Sequence, residues 1–343
     1  MKDEEFNKLL KAHEDSPLDL DIINSLAIEY LENEKYRGVA NEHFDFFQKA
    51  YSIKRTVKTT HNFARFLYYY WAEWEFDHQQ KNTIPKALAI QEECLALKPN
   101  SYYPYSQYGY MLLDQNQFEK AITYLLISNE KNAHSLTYHN LGYCYYHLGD
   151  YENSKINFSL ASESAKNRDL TLYGLALSHY HLNNTDAVRE IGNQLLLDLE
   201  PKDGYHPKDG FIAATIFYLI KDFEKVTECV RKGCITQHGF DLLEKDHLAY
   251  SVYKADKLLY EEQVNIGIES RKRNIQECKD NNVNWEENLR IKQLLKEINN
   301  RKNFHKQLNI PPVTDFEMHL YPNKFECLLF GCENHKSLNN DIS

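Results

Sequence analysis

Apolar side chains recur along this chain at intervals of three and four residues, the spacing of one face of an α-helix. Between Ser135 and Lys166, one face carries Tyr138, Leu141, Gly142, Tyr145 and Leu148, and a second carries Tyr151, Ile156, Phe158 and Ala161. Gly149-Asp150 between them reads as a tight turn. Gly142 stands in mid-helix, where glycine costs about 1 kcal/mol relative to alanine. The pattern therefore predicts a second helix crossing too closely to admit a Cβ. The same grammar returns elsewhere. A small residue precedes an aromatic by nine positions at Ala27/Tyr36, Gly109/Phe118, Gly142/Tyr151 and Ala214/Phe223. Gly109 and Gly142 are 33 residues apart, and His181-Leu182-Asn183-Asn184 echoes His147-Leu148-Gly149-Asp150 at an offset of 34. Helix–turn–helix units of fixed length give such intervals.

Other stretches fit around this repeat. Residues 1–18 predict a short polar helix, and Ser16-Pro17 has the chemistry of a helix start. The run NFARFLYYYWAEWEF is apolar nearly all round and predicts a buried helix. Gly192 intrudes into the second helix of a more degenerate unit over 169–200. After Phe240 the repeat fades. Residues 241–279 predict two helices or one bent one. Asn284-Trp285-Glu286-Glu287 resembles a capping box opening a helix with Leu289, Leu294, Leu295 and Ile298 on its apolar side. Pro311-Pro312 ends it. The last segment, 311–343, is expected to pack on the preceding helices, because a terminal repeat would otherwise expose its apolar face.

Tyr138, Leu141, Gly142 and Tyr145, followed by Ser154 and Phe158, resemble the tetratricopeptide repeat, with Ser in place of the usual Ala and Lys166 where a Pro would close the unit. The resemblance covers about residues 19–240 and is strongest over 102–161. It implies an all-α fold, a right-handed superhelical solenoid of antiparallel helix pairs, here with a helical C-terminal cap. The expected segments are 1–18, 19–240, 241–310 and 311–343. The resemblance also implies a concave groove lined by the first helix of each pair. Such proteins usually act as binding scaffolds rather than as enzymes. In that frame Tyr103, Gln107 and Tyr110 face the groove from one unit, His139, Asn140, Tyr143, Tyr146 and His147 from the next, and Tyr173 from a third. Tyrosine supplies contact area and a hydroxyl at low entropic cost. Asn140 occupies a place that some family members use to hold a peptide's terminal carboxylate. The cationic places hold Ser106, His139 and Leu170 or Gly174 instead, which argues against a chaperone-tail clamp.

Composition narrows the partner. The 343 residues carry 50 acidic and 40 basic side chains, a net charge of −10. This disfavours nucleic acid and anionic membranes and accommodates a basic protein or peptide. The polar N-terminus has no apolar signal core, no long apolar run spans a membrane, and seven scattered cysteines suit reduced thiols, so a cytoplasmic setting is expected. His319, Cys327, Cys332 and His335 are a weak zinc-ligand candidate. Neither a phosphate-binding glycine loop nor an HExxH motif is present. No cofactor is expected. The sequence thus reads as a non-catalytic scaffold binding through a Tyr/His-rich groove, in an adaptor or toxin-neutralising (immunity) role. The alternative is a metal-dependent or nucleotide-processing enzyme with its site beyond residue 240. Oligomeric state stays open.

Overall fold

Four turns between helices share one bond pattern, and they establish the repeat. Asn116, Gly149, Asn183 and Lys221 each adopt the left-handed conformation, with φ of 57°, 76°, 59° and 59°. In each turn that residue's N–H donates to the carbonyl three residues back, and the next N–H donates to the carbonyl five residues back, as Gly149→Tyr146 and Asp150→Tyr145 do. These bonds satisfy the last carbonyls of the first helix. At three of the turns the following residue caps the second helix: Asp150 accepts from Asn153 N–H, Asn184 from Ala187 N–H and Asp222 from Lys225 N–H.

The computed structural model describes residues 3–32, 40–71, 80–163, 168–198, 210–232, 246–280, 285–312 and 329–332. Sixteen α-helices run through them, and none of the described residues is in a strand. The chain divides into two compact units, residues 1–166 with 320–343, and residues 167–319. The expected boundaries at 18 and 240 fall inside these units.

The first unit contains α1 (Asp3–Asp15), α2 (Leu20–Glu32), α3 (Ala40–Ile53), α4 (Val57–Phe66), α5 (Gln80–Ala96), α6 (Tyr103–Asp114), α7 (Phe118–Lys131), α8 (Ser135–His147) and α9 (Tyr151–Ser162). After α1, these are successive pairs, with α2, α4, α6 and α8 as first helices. The expected start at Ser16-Pro17 is not used. Asp19 caps α2 instead, its carboxylate accepting from Asp21 and Ile22 N–H. The apolar run after Thr56 is a buried helix that continues as a π-helical turn, Leu67–Trp71. A Cβ on Gly142 would lie 2.9 Å from the Phe158 ring, and one on Gly109 2.6 Å from Leu125. The close crossing expected from the sequence is therefore present in two consecutive pairs.

The second unit contains α10 (Arg168–His181), α11 (Thr185–Asp198), α12 (Phe211–Leu219), α13 (Phe223–Arg231), α14 (Asp246–Ala255), α15 (Lys257–Asp280) and α16 (Trp285–Asn303). Gly192 has a reason to be there: its Cβ would meet Phe217 at 2.9 Å and Ile216 at 3.2 Å. The 241–279 region is two helices, broken at Asp256, whose carboxylate accepts from Leu258 and Leu259 N–H. The long hairpin of α15 and α16 closes on Ile268, Ile275, Leu294 and Ile298. Leu289 and Leu295, expected on the same side, are more than half exposed. A two-helix seam is narrow, and Ile291, Leu294 and Ile298 already fill it at spacings of three and four.

The expectation that the last segment caps the last helices is corrected. Pro312 does remain with the second unit, its carbonyl accepting from the Tyr218 hydroxyl of α12 at 2.9 Å. Leu329–Cys332, however, lie in the first unit, against α2, α4, α6 and α8. The reason is polar as well as apolar. Two buried asparagines there need partners, and this segment's main chain supplies them.

Candidate functional site

The first helices of the first unit share a surface built from carboxamides and aromatics. Asn62 stands two residues before Ala64, as Gln107 stands before Gly109 and Asn140 before Gly142. The small residue lets the second helix approach, and the carboxamide takes a fixed place beside it on successive first helices. All three carboxamides are fully buried.

Their partners differ. Asn62 Oδ1 accepts from Phe330 N–H at 2.9 Å, and Asn62 Nδ2 donates to Phe330 O at 2.8 Å. Asn24 Nδ2 donates to the same carbonyl at 3.0 Å, while its Oδ1 accepts from Asn62 Nδ2 at 2.7 Å. Gln107 Nε2 donates to Gln91 Oε1 at 2.7 Å, and Gln91 Nε2 donates to Pro104 O at 2.9 Å. Asn140 Nδ2 and Oδ1 have no hydrogen-bond partner among the described residues.

Of the nine residues expected in the groove, Tyr103, Gln107, Tyr110, His139, Asn140 and Tyr173 are buried. Tyr110 leans on Tyr69, with ring centroids 5.6 Å apart, and His139 stands edge-on to Phe158 at 5.0 Å. Tyr173 belongs to the second unit. Tyr143 and Tyr146 are half-buried and His147 is exposed. These three are contiguous: the His147 ring lies 4.3 Å from Tyr143 and 5.7 Å from Tyr146, and it stacks on Phe118 at 5.0 Å. Loss of hydration in that stack lowers the His147 pKa below its ordinary value.

Asn24 and Asn62 were not singled out by sequence reading. The carboxamide two places before a small helix-crossing residue was a usable signal for Asn62. Asn24 lies outside that register, and only the return of Phe330 reveals it. Of the zinc candidates, His319, Cys327 and His335 lie outside the described residues. Cys332 is buried in the first unit's core.

No family model matches the chain, and no curated protein matches it by sequence. Several solved structures are similar in outline. PilW, described as a widely conserved type IV pilus biogenesis factor, matches at 18% identity and a TM-score of 0.47, covering 59% of this chain and 89% of that one. YrrB, described as a TPR protein with an unusual peptide-binding site, matches at 15% identity and 0.44, covering 60% and 96%. Pseudomonas aeruginosa PilF matches at 16% identity and 0.47, covering 71% and 95%. At this distance the likeness carries no argument about function, and the repeat rests on the helix pairs and turns described above.

Proposed function

We propose that this chain is a non-catalytic scaffold that binds a protein or peptide segment along the first helices of its first unit. The observation that carries this reading is the grip of Asn62 on Phe330. A carboxamide on a first helix meets both the N–H and the C=O of one residue of a turn, so it recognises main chain. Asn140 is placed equivalently two pairs further on, and its buried carboxamide has no hydrogen-bond partner among the described residues. Tyr143, Tyr146 and His147 add an aromatic patch on the same helix, and aromatic anchors tend to dominate binding energy.

The net charge of −10 favours a basic segment. An adaptor or a toxin-neutralising role in the cytoplasm fits such a scaffold. No described helix is long and apolar enough to cross a membrane. The test is peptide display panned against the folded chain. Peptides should be enriched whose binding falls at least tenfold with Tyr143→Ala plus His147→Ala and is unmoved by Glu119→Ala on α7. Enrichment of none, or of peptides indifferent to the double substitution, overturns the reading.

A further inference from the structure

Leu329–Cys332 is held as a ligand is held. It contributes neither helix nor strand. The amide N–H and carbonyl of Phe330 are met by side chains of α2 and α4. Its ring is fully buried, 4.9 Å from that of His61 and 5.5 Å from that of Tyr103. Tyr102, Leu136 and Val57 complete the apolar pocket. Three first helices, α4, α6 and α8, thus converge on one aromatic side chain, while α2 holds the Phe330 carbonyl.

The next residue adds selectivity. Gly331 has φ +93°, a region that residues with a side chain rarely adopt. A Cβ there would lie 2.8 Å from Asn24 Nδ2 and 3.3 Å from Lys58 Cε. The pocket therefore reads three features of the segment at once: a main-chain turn, closed by the Cys332 N–H donating to the Leu329 carbonyl, an aromatic side chain, and a glycine directly after it.

We infer that Phe330-Gly331 is an intramolecular ligand of the first unit's groove. It competes with external segments, and the external ligands it mimics carry an aromatic residue followed by glycine. This deepens the peptide-binding reading above and rests on it. An external segment can enter only in the fraction of molecules whose own tail is out, so its apparent affinity is reduced by that fraction. Weakening the tail raises it.

The experiment uses the full chain and a fluorescein-labelled synthetic peptide carrying Leu-Phe-Gly-Cys, followed by fluorescence anisotropy under reducing conditions. The peptide should bind Phe330→Ala at least tenfold more tightly than the unaltered chain. Gly331→Ala, a milder change, should move affinity in the same direction. Replacing the peptide's Phe by Ala, or adding Asn62→Leu to the Phe330→Ala chain, should abolish the gain. Equal affinity for the unaltered and Phe330→Ala chains overturns the inference, as does binding insensitive to Asn62→Leu. Loss of cooperative folding in both tail variants also overturns it, because the segment would then be a structural strut. If display peptides that depend on Tyr143 and His147 bind the unaltered and tail variants alike and are not displaced by the Leu-Phe-Gly-Cys peptide, the tail inference fails while the groove reading stands. If display yields none, the groove reading itself fails.

Discussion

Asn62 and Phe330 exchange two hydrogen bonds across 268 residues of sequence, the Asn62 carboxamide accepting from the Phe330 N–H and donating to its carbonyl. Both groups are buried, so the pair is expensive to break on one side only. Asn62→Leu leaves the Phe330 N–H without this acceptor and the Asn24 Oδ1 without its donor. It should cost about 1–3 kcal/mol in denaturant unfolding. It should also speed hydrogen exchange at the Phe330 amide while the amides of α9 stay protected. An unchanged rate at Phe330 would show that the segment is held by its ring alone.

Gly142→Ala should destabilise the first unit by about 1–3 kcal/mol through overpacking. The new Cβ would lie 2.9 Å from the Phe158 ring, and that ring is already wedged against His139. Gly142→Leu should cost at least as much. An unmoved denaturant midpoint would mean that α9 slides without penalty.

Lys221→Gly should stabilise the second unit, by about 0.5–1 kcal/mol, since a non-glycine residue in the left-handed region carries strain. Lys221 has φ +59° at the turn where Gly149 stands in the first unit. The converse, Gly149→Ala, should destabilise, although nothing lies within 4 Å of a Cβ there. The pair of melting curves isolates backbone strain from packing.

His147 should titrate below 6.5, and Phe118→Ala should raise its pKa toward the ordinary value by restoring hydration. The sign for stability follows. Between the lowered folded pKa and 6.5 the unfolded chain binds more protons, so stability falls as pH drops through that window and levels off below it. His181, at the matching turn of the second unit, is lowered by burial in the same way. Proton NMR of the two imidazoles checks both.

Cys94 and Cys144 should resist alkylation at pH 8 in the native protein and react once it is unfolded. Burial pushes the first thiol up to about 11 and the second up to about 12, so neither forms the reactive thiolate. Fast labelling of either residue, read by mass spectrometry, would contradict the packing of α5 or α8.

Much of the fold was legible because one interval recurs. A small residue before an aromatic by nine positions predicts helix–turn–helix units of fixed length, and the glycine in mid-helix at 142 predicts the close crossing. Local chemistry alone could not choose between Ser16 and Asp19 as the start of α2. That choice depends on which side chain reaches the first free N–H groups. Leu289 and Leu295 misled because helical spacing marks a face but not its width, and a two-helix seam needs only a narrow one. The candidate site was read from the wrong side of its own cover. Tyr103 and Gln107, expected to face the groove, are both buried, Phe330 lies over Tyr103, and no interval in the sequence links residue 330 to residue 62.

That separation also has a meaning in time. A ribosome adds about 5–20 residues per second, so roughly 13–54 s pass between the emergence of Asn62 and that of Phe330. During synthesis the asparagine pair of α2 and α4 is exposed before its own partner exists. A nascent chain thus passes through an interval in which Asn24 and Asn62 lack the Phe330 main chain as a partner, and the emergence of Phe330 ends it.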